Sequence, residues 1–500
     1  MKKFDTHKFM NFAAVCVILL AIFINLAGCG VINPSGSDGA ESLTFASKEN
    51  YERKDIIVDA VENIPTGNTS VTSPTSSTSP TSPITPTSPV VDDTPTNPVS
   101  QEQNLEVSEN SEISDIPKDS EIPVTTERGN IFAPPIIDKP TEAPVQSNDG
   151  TVRMSFIAAG DNIMHSNMID DAKERAKDGE NFNFRIMYKD IEDIITKADI
   201  AFVNVETPIA GDEFAYAGYP MFNTPKENGF ALVDIGFDIV NIANNHMLDK
   251  WEKGYINNIN FWESQNVLLI GGFKDAQDFE NIRIYEKNGV TIAFLSYTYG
   301  TNGMYLPADS KMIVPLIDSA TIERQVKAAK PLADLLFVVM HWGQEDNFTP
   351  DQTQRNLAQM MVDNGVDVII GMHPHVLQET KWVTRPDGKQ TLITYSIGNM
   401  ISGMLGAKNM VGGFLGFDIV KTTVGGVSDT KIENAEIIPI VTHYNMPRKV
   451  FQIYKFEDYT EELAKGHGCI NSDTKFSYKY LKDLIIQNVA PEFLSDFYKE

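Results

Sequence analysis

Thiols are scarce in this chain of 500 residues, and the shortage narrows its chemistry at once. Cys16, Cys29 and Cys469 cannot form a disulfide framework once the N-terminus is processed, and they cannot assemble a thiolate zinc site. Any metal ion must therefore rest on His, Asp, Glu and Asn. Positive charge is short as well, with Lys+Arg 41 against Asp+Glu 68 and a formal net charge of −27. Only residues 1–28 carry a small excess of lysine. The stretch 31–150 holds 6 basic and 20 acidic side chains, and the remainder is also acidic. That balance excludes sequence-independent nucleic-acid binding, which needs Lys and Arg to displace phosphate counterions. Also missing are a P-loop, a dinucleotide-binding glycine fingerprint and a Gly-x-Ser-x-Gly elbow.

What is present begins with an address. Lys2, Lys3 and Lys8 precede an apolar run from Phe12 to Ala27, the pattern of a secretory signal over residues 1–28. The run ends Leu26-Ala27-Gly28-Cys29, which resembles a bacterial lipobox, so Cys29 is expected to be lipidated and to anchor the chain on the extracytoplasmic face of the cell membrane. The alternative is an uncleaved signal-anchor helix in which Cys29 is incidental. Residues 29–150 then lose hydrophobic periodicity, and Thr69 to Pro98 is almost wholly Ser, Thr and Pro. Such a composition buries too little apolar surface to offset chain entropy, so this stretch reads as a disordered acidic linker. It serves either as a stalk or as a tether of no fixed length.

From residue 151 the texture becomes that of an α/β fold. Short β-branched runs at 154–159, 200–205, 237–242, 292–297, 335–340, 366–370 and 392–396 read as strands. Amphipathic stretches at 188–198 and 350–364 read as helices, and residues 456–500 as a C-terminal helical extension. The informative feature is where polar residues fall. Asp161, Glu206, Asn245, His246, His341, His373 and His375 all come just past the carboxyl end of a predicted strand, where α/β sheets build ligand sites. His165 shares that placement, so 5 of the 8 histidines lie in these turns. One Asp after a strand is usually a helix cap, and one His usually a satisfied polar residue. Seven at successive strand ends argue for a shared site.

The residue types narrow that site further. Carboxylate, imidazole and amide oxygen without thiolate suit one or two divalent ions such as Mn²⁺, Zn²⁺, Fe²⁺ or Mg²⁺. His373-Pro374-His375 projects two rings from one stiffened turn. A two-ion site needs a bridging carboxylate, for which Asp161 or Glu206 is available. A pair of ions lowers the pKa of water and clamps phosphoryl or acyl oxygens, while a free imidazole protonates the leaving group. Trp342 and Trp251 read as cleft or core residues, Asp212, Glu213, Tyr216 and Tyr219 as lid or ordinary surface loop, and Gln344, Glu345 and Asn399 as groups able to order ligands.

The ordered runs Gly160-Asp161-Asn162-Ile163-Met164, Asn204-Val205-Glu206-Thr207-Pro208, Ala243-Asn244-Asn245-His246, His341-Trp342-Gly343, Gly371-Met372-His373-Pro374-His375-Val376 and Tyr395-Ser396-Ile397-Gly398-Asn399 resemble the CapA family over roughly 151–450. That family comprises capsule or poly-γ-glutamate synthesis proteins on a calcineurin-like metallophosphoesterase fold. The resemblance implies a four-layer α/β/β/α sandwich over residues 151–455. By the same resemblance Asp161 is the first metal-binding carboxylate, Glu206 the bridging one and Asn245 the amide ligand. His246 becomes the proton donor with Asp249 orienting it. His341 and His373 complete one ion position and His375 the other, with Asn204 and Asn399 behind the ligands. One departure stands out: the D-x-H pattern requires histidine at position 163, which is Ile163, so one position is a ligand short unless His165 reaches it. Together with the lipobox reading, the resemblance implies a lipid-anchored protein acting in synthesis, export or attachment of an anionic cell-surface polymer, as a metal-dependent hydrolase of phosphoester or amide bonds. The alternatives are a non-catalytic subunit that grips the nascent polymer for a membrane synthase, and a metallophosphatase unconnected with capsule.

Overall fold

The computed structural model describes residues 150–499, so the expected signal segment, Cys29 and the linker up to residue 149 lie outside the described residues. The strands form two sheets. The first runs β14 (Lys449–Lys455), β13 (Val427–Asn445), β12 (Val411–Val424), β1 (Thr151–Asn162), β2 (Ile200–Val205), β3 (Ile239–Asn241) and β4 (Leu268–Ile270), with β11 (Asn399–Ile401) beside the end of β1. The second runs β5 (Arg283–Lys287), β6 (Val290–Thr298), β7 (Leu335–His341), β8 (Val368–Met372), β10 (Gln390–Thr394) and β9 (Thr380–Thr384). The central pairs β1–β2–β3–β4 and β6–β7–β8–β10 are parallel. Parallel strands are covered on both faces, which is why they read in the sequence as unbroken apolar runs.

Alternation along β6 and β7 assigns the layers. Ile292, Phe294, Leu335, Phe337 and Val339 join the core shared with the first sheet, whereas Ala293, Leu295, Leu336, Val338 and Met340 join a second cluster with Ile322, Val326, Leu357 and Met361 of the helices Ser319–Ala329 and Gln352–Asp363. Between the sheets, the Phe156 ring meets Phe337 edge-on at 5.3 Å and stacks on Phe417 at 4.8 Å. Helices Ser166–Glu174, Lys226–Asp234 and Trp251–Glu263 supply the remaining layer through Met168, Leu232, Ile259 and Trp262. The result is the expected α/β/β/α sandwich. Helix Gln352–Asp363 starts where the sequence predicts, at a capping box formed by Asp351 and Gln354. The predicted helix at 188–198 is instead two short ones, Arg185–Tyr188 and Glu192–Lys197. Each side of the break is tied to β14, by Asp190 to Gln452 and by Asp193 to Lys455.

The C-terminal segment is helical at Glu461–Gly466 and Tyr478–Asn488, and its Phe456, Tyr459, Phe476, Leu481, Ile485 and Phe493 enter the main core. Its histidines are structural. Buried His467 offers Nδ1 to the Cys469 amide and Nε2 to the Thr442 carbonyl, both at 2.9 Å, which fixes a neutral tautomer. Cys469 is buried with its Sγ 3.2 Å from the Leu405 carbonyl. Burial lowers His467 to about 3 and His443 to about 4. The folded state then binds fewer protons than the unfolded one below the usual imidazole value of 6.5, so stability is lost as pH falls from about 6.5 towards 4. Thermal melts are expected to drop by on the order of 5 °C between pH 7 and 4.5, with a shallower slope in a His443→Gln, His467→Gln double variant. An unchanged slope in that variant would remove these two rings from the account.

Candidate metal centre

Two glycines let the site close. A Cβ on Gly160 would sit 1.9 Å from the Gly398 carbonyl, and one on Gly371 would sit 1.9 Å from the Tyr395 carbonyl. With these approaches open, Asp161 N donates to Gly398 O at 3.0 Å, and β11 pairs beside β1 with Asn399 opposite Asp161. Asp161 is the penultimate residue of β1, Glu206 lies one residue past β2, Asn245 and His246 past β3, His341 at the end of β7, and His373 and His375 past β8. All seven are buried.

Their donor atoms converge in three sets, each within 4.8 Å: Glu206 with His341 and His373, Asp161 with Glu206 and His375, and Glu345 with His373 and His375. Glu206 is common to the first two, as a bridging carboxylate would be. His341 Nε2 is 2.9 Å from Asn245 Oδ1 and 3.8 Å from Glu206 Oε1, and His375 Nε2 is also 3.8 Å from Glu206 Oε1. The Nδ1 of His375 faces Asn399 Oδ1 at 3.0 Å and Asp161 Oδ2 at 3.2 Å, which leaves Nε2 directed at the shared carboxylate. The turn carrying the two rings is strained, with φ of 95° at His373 and 57° at His375.

Whether a divalent cation suits these residues is decided by the atoms left over. Both oxygens of Glu206 and Nδ1 of His341 and of His373 are buried without a hydrogen-bond partner. A buried carboxylate with both oxygens unpaired costs several kcal/mol unless a cation compensates it. Burial, and after it the charge of Asp161, push the Glu206 carboxyl well above its usual range. Burial and the neighbouring imidazoles hold His341 well below theirs, and the same causes act on His373, so both rings present lone pairs. Burial would lower His375 too, but Glu206 and Asp161 outweigh it and raise the ring to about 10. Two carboxylates, an amide oxygen and three imidazoles fit a divalent cation of the Mn²⁺, Zn²⁺ or Fe²⁺ kind.

His246 stands beside this set. Its Nδ1 is 2.8 Å from Asp249 Oδ2, the same oxygen that accepts the Phe222 amide at 2.7 Å, and the Phe222 ring meets the imidazole edge-on at 4.7 Å. His165 is brought near but not in. Its Nδ1 accepts the Gly403 amide at 3.0 Å, it belongs to none of the three sets, and burial lowers it to about 4. Asn204 donates to Asp161 Oδ1 at 2.7 Å; Asn241 donates to Asn204 at 2.7 Å, and Ser296 to Asn241 at 2.5 Å. This relay follows the strand register Asp161–Asn204–Asn241 and crosses to β6 of the second sheet. Of the predicted aromatics, Trp342 is buried with its indole on the Tyr395 carbonyl, and Trp251 is exposed. Asp212 and Tyr216 bond each other at the surface, and Tyr219 packs on Phe222.

Sequence reading passed over Asn241, Ser296, Tyr299 and Asn302. Tyr299 lies over His373 with centroids 4.4 Å apart, and Asn302 accepts from Asn245 at 3.2 Å. The available clue was position: both sit in the loop just past β6, another strand ending at this edge.

Sequence comparison sets the chain beside capsule synthesis proteins. The family described as bacterial capsule synthesis protein PGA_cap matches residues 155–404. The PGA biosynthesis protein CapA of Bacillus subtilis (strain 168) is 30% identical over 266 residues, 51% of this chain and 66% of that protein. The capsule biosynthesis protein CapA of Bacillus anthracis is 33% identical over 180 residues, 35% of this chain and 43% of that one. The matched stretches thus span about two thirds or less of these relatives. The Haemophilus influenzae NAD nucleotidase structure overlaps at 13% identity with a TM-score of 0.36, covering 69% of this chain and 58% of that one. With half of its length matched, and with the motif residues of that half gathered at one edge of the sandwich, the chain belongs to the bacterial capsule synthesis protein PGA_cap family.

Proposed function

We propose that this protein is a metal-dependent hydrolase of phosphoester or amide bonds that serves synthesis of a poly-γ-glutamate capsule, anchored at the extracytoplasmic membrane face through a lipidated Cys29 and working beside a membrane polymer synthase. In support, the Bacillus subtilis relative is named for PGA biosynthesis and the Bacillus anthracis relative for capsule biosynthesis. The observation that carries the hydrolase reading is Glu206, buried with both oxygens unpaired among His341, His373, His375 and Asp161. Bound divalent ions supply Lewis acidity and a lowered water pKa. The chain's own groups do the rest. Glu206, Asp161, Asn245, His341, His373 and His375 hold the ions, and Asn204 and Asn399 fix the directions of Asp161 and His375. Asp249 pins Nδ1 of His246, so Nε2 is the nitrogen available to protonate a leaving group. Exposed Tyr299, lying over His373, shields one side of the cluster from water.

The test is metal content and hydrolysis of phosphodiesters and of poly-γ-glutamate by the full-length chain. Wild type is expected to carry divalent metal, and His375→Ala to lose at least about tenfold in affinity together with activity. Wild type that binds neither Mn²⁺ nor Zn²⁺ would overturn the reading. A second reading, an accessory subunit that binds the nascent polymer without cleaving it, draws on Ile163 standing where the family's phosphoesterase pattern needs histidine. Metal-dependent polymer binding with no turnover on either substrate would favour it.

A further inference from the structure

The ligand missing at position 163 is supplied by neither nearby candidate. Ile163 is buried with its amide on Ile401 O at 3.0 Å, and His165 Nδ1 is already occupied by Gly403 N. A carboxylate reaches the cluster from another direction. Glu345, in the turn after β7, brings an oxygen within 4.8 Å of ring nitrogens of both His373 and His375. Its place is built rather than incidental. The next residue, Asp346, adopts a φ of 66° and donates its amide to Pro374 O at 2.8 Å, which fastens this turn to the middle of the His373-Pro374-His375 turn. Asn409 bonds the Asp346 carboxylate at 2.7 Å, and Gln378 bonds the Asn347 carbonyl at 2.7 Å. Glu345 is therefore held over the two histidines from its C-terminal side. His373 gives an independent indication of a further ligand, being 3% exposed with Nδ1 buried and unpartnered.

We propose that Glu345 is a metal-ligating residue that joins His373 and His375 in holding a cation from the solvent side. The assignment rests on the metal-centre reading above. Its carboxylate adds negative charge and a hard oxygen donor beside the two imidazoles, a mixture that Mn²⁺ accepts. Because its carboxylate faces solvent, Glu345 is also the ligand that an incoming anionic group would displace.

Titration of the full-length chain with Mn²⁺, followed by loss of the free-ion EPR signal, separates the outcomes. Wild type is expected to take up two ions. In Glu345→Gln the weaker ion should bind at least about tenfold less tightly while the tighter one is unchanged, and Glu345→Asp, which keeps the charge, should recover part of the loss. Glu345 is exposed, so neither change touches the core, and thermal melts verify folding. Two ions bound with wild-type affinity in Glu345→Gln overturn the assignment and leave the metal centre standing. A single ion in wild type, unaffected by Glu345→Gln, does the same. No uptake of Mn²⁺ or Zn²⁺ by wild type overturns both readings.

Discussion

Glutamine at position 206 is expected to strip the protein of bound metal and, at the same time, to stabilise the metal-depleted fold. Glu206 is the one residue shared by the two deep donor sets, so its loss weakens both positions together, whereas a histidine change first weakens its own. Turnover should fall to background. The stability effect has the opposite sign because the carboxylate is buried with both oxygens unpaired, beside the charge of Asp161. A neutral amide of the same shape is cheaper to bury, and its N–H can donate to the imidazole lone pairs around it. The gain should be about 1–3 kcal/mol, read as a melting temperature a few degrees higher when chelator-treated Glu206→Gln is compared with chelator-treated wild type. A variant that keeps its metal, or one that melts below metal-depleted wild type, contradicts the role given to Glu206.

The second large effect is at His246. His246→Ala should lower turnover by about 10²–10⁴ while metal content stays at the wild-type level, since the ring is outside all three donor sets. Asp249→Asn should come close to the same loss. Asp249 Oδ2 holds Nδ1 of the ring and also accepts the Phe222 amide that keeps the aromatic edge against it, so an amide there presents the wrong partner to both. Residues acting as one unit are not additive, and the double variant should be little worse than His246→Ala alone. Kinetics with metal analysis on the same samples checks this. Near-wild-type turnover in His246→Ala would take the proton-donor role away from this ring.

Legibility in the sequence followed the architecture. The parallel strands β1, β2, β6, β7, β8 and β10 stood out because double burial gives each a run of mostly apolar residues. The antiparallel β12, β13 and β14 did not. β13 mixes exposed Asn434 and Glu436 with Pro439 in its interior, and only pairing with β12 and β14 makes 19 residues of it a strand. The site divides the same way. Ligands next to a strand end are marked by the strand, so Asp161, Glu206, His341 and the two histidines of the His-Pro-His turn could be picked out together. Asn241 and Ser296 sit inside strands, and a polar residue there looks like a defect until the register shows that it relays to Asp161. Asn302 and the ligand-like setting of Glu345 depend on loops that only the folded chain brings together.

At positions 373 and 375 the backbone and the ring make opposing demands. A positive φ is what glycine, or at second best asparagine, accommodates without strain, whereas the donor sets need imidazole. Selection for thermal tolerance alone would therefore drift towards glycine here and erase the site, while selection for function must keep two uncomfortable residues on either side of Pro374. A stability-ranked substitution library should thus flag this turn from the wrong side, as a place where glycine, and after it asparagine, outperforms the native residue in a melt.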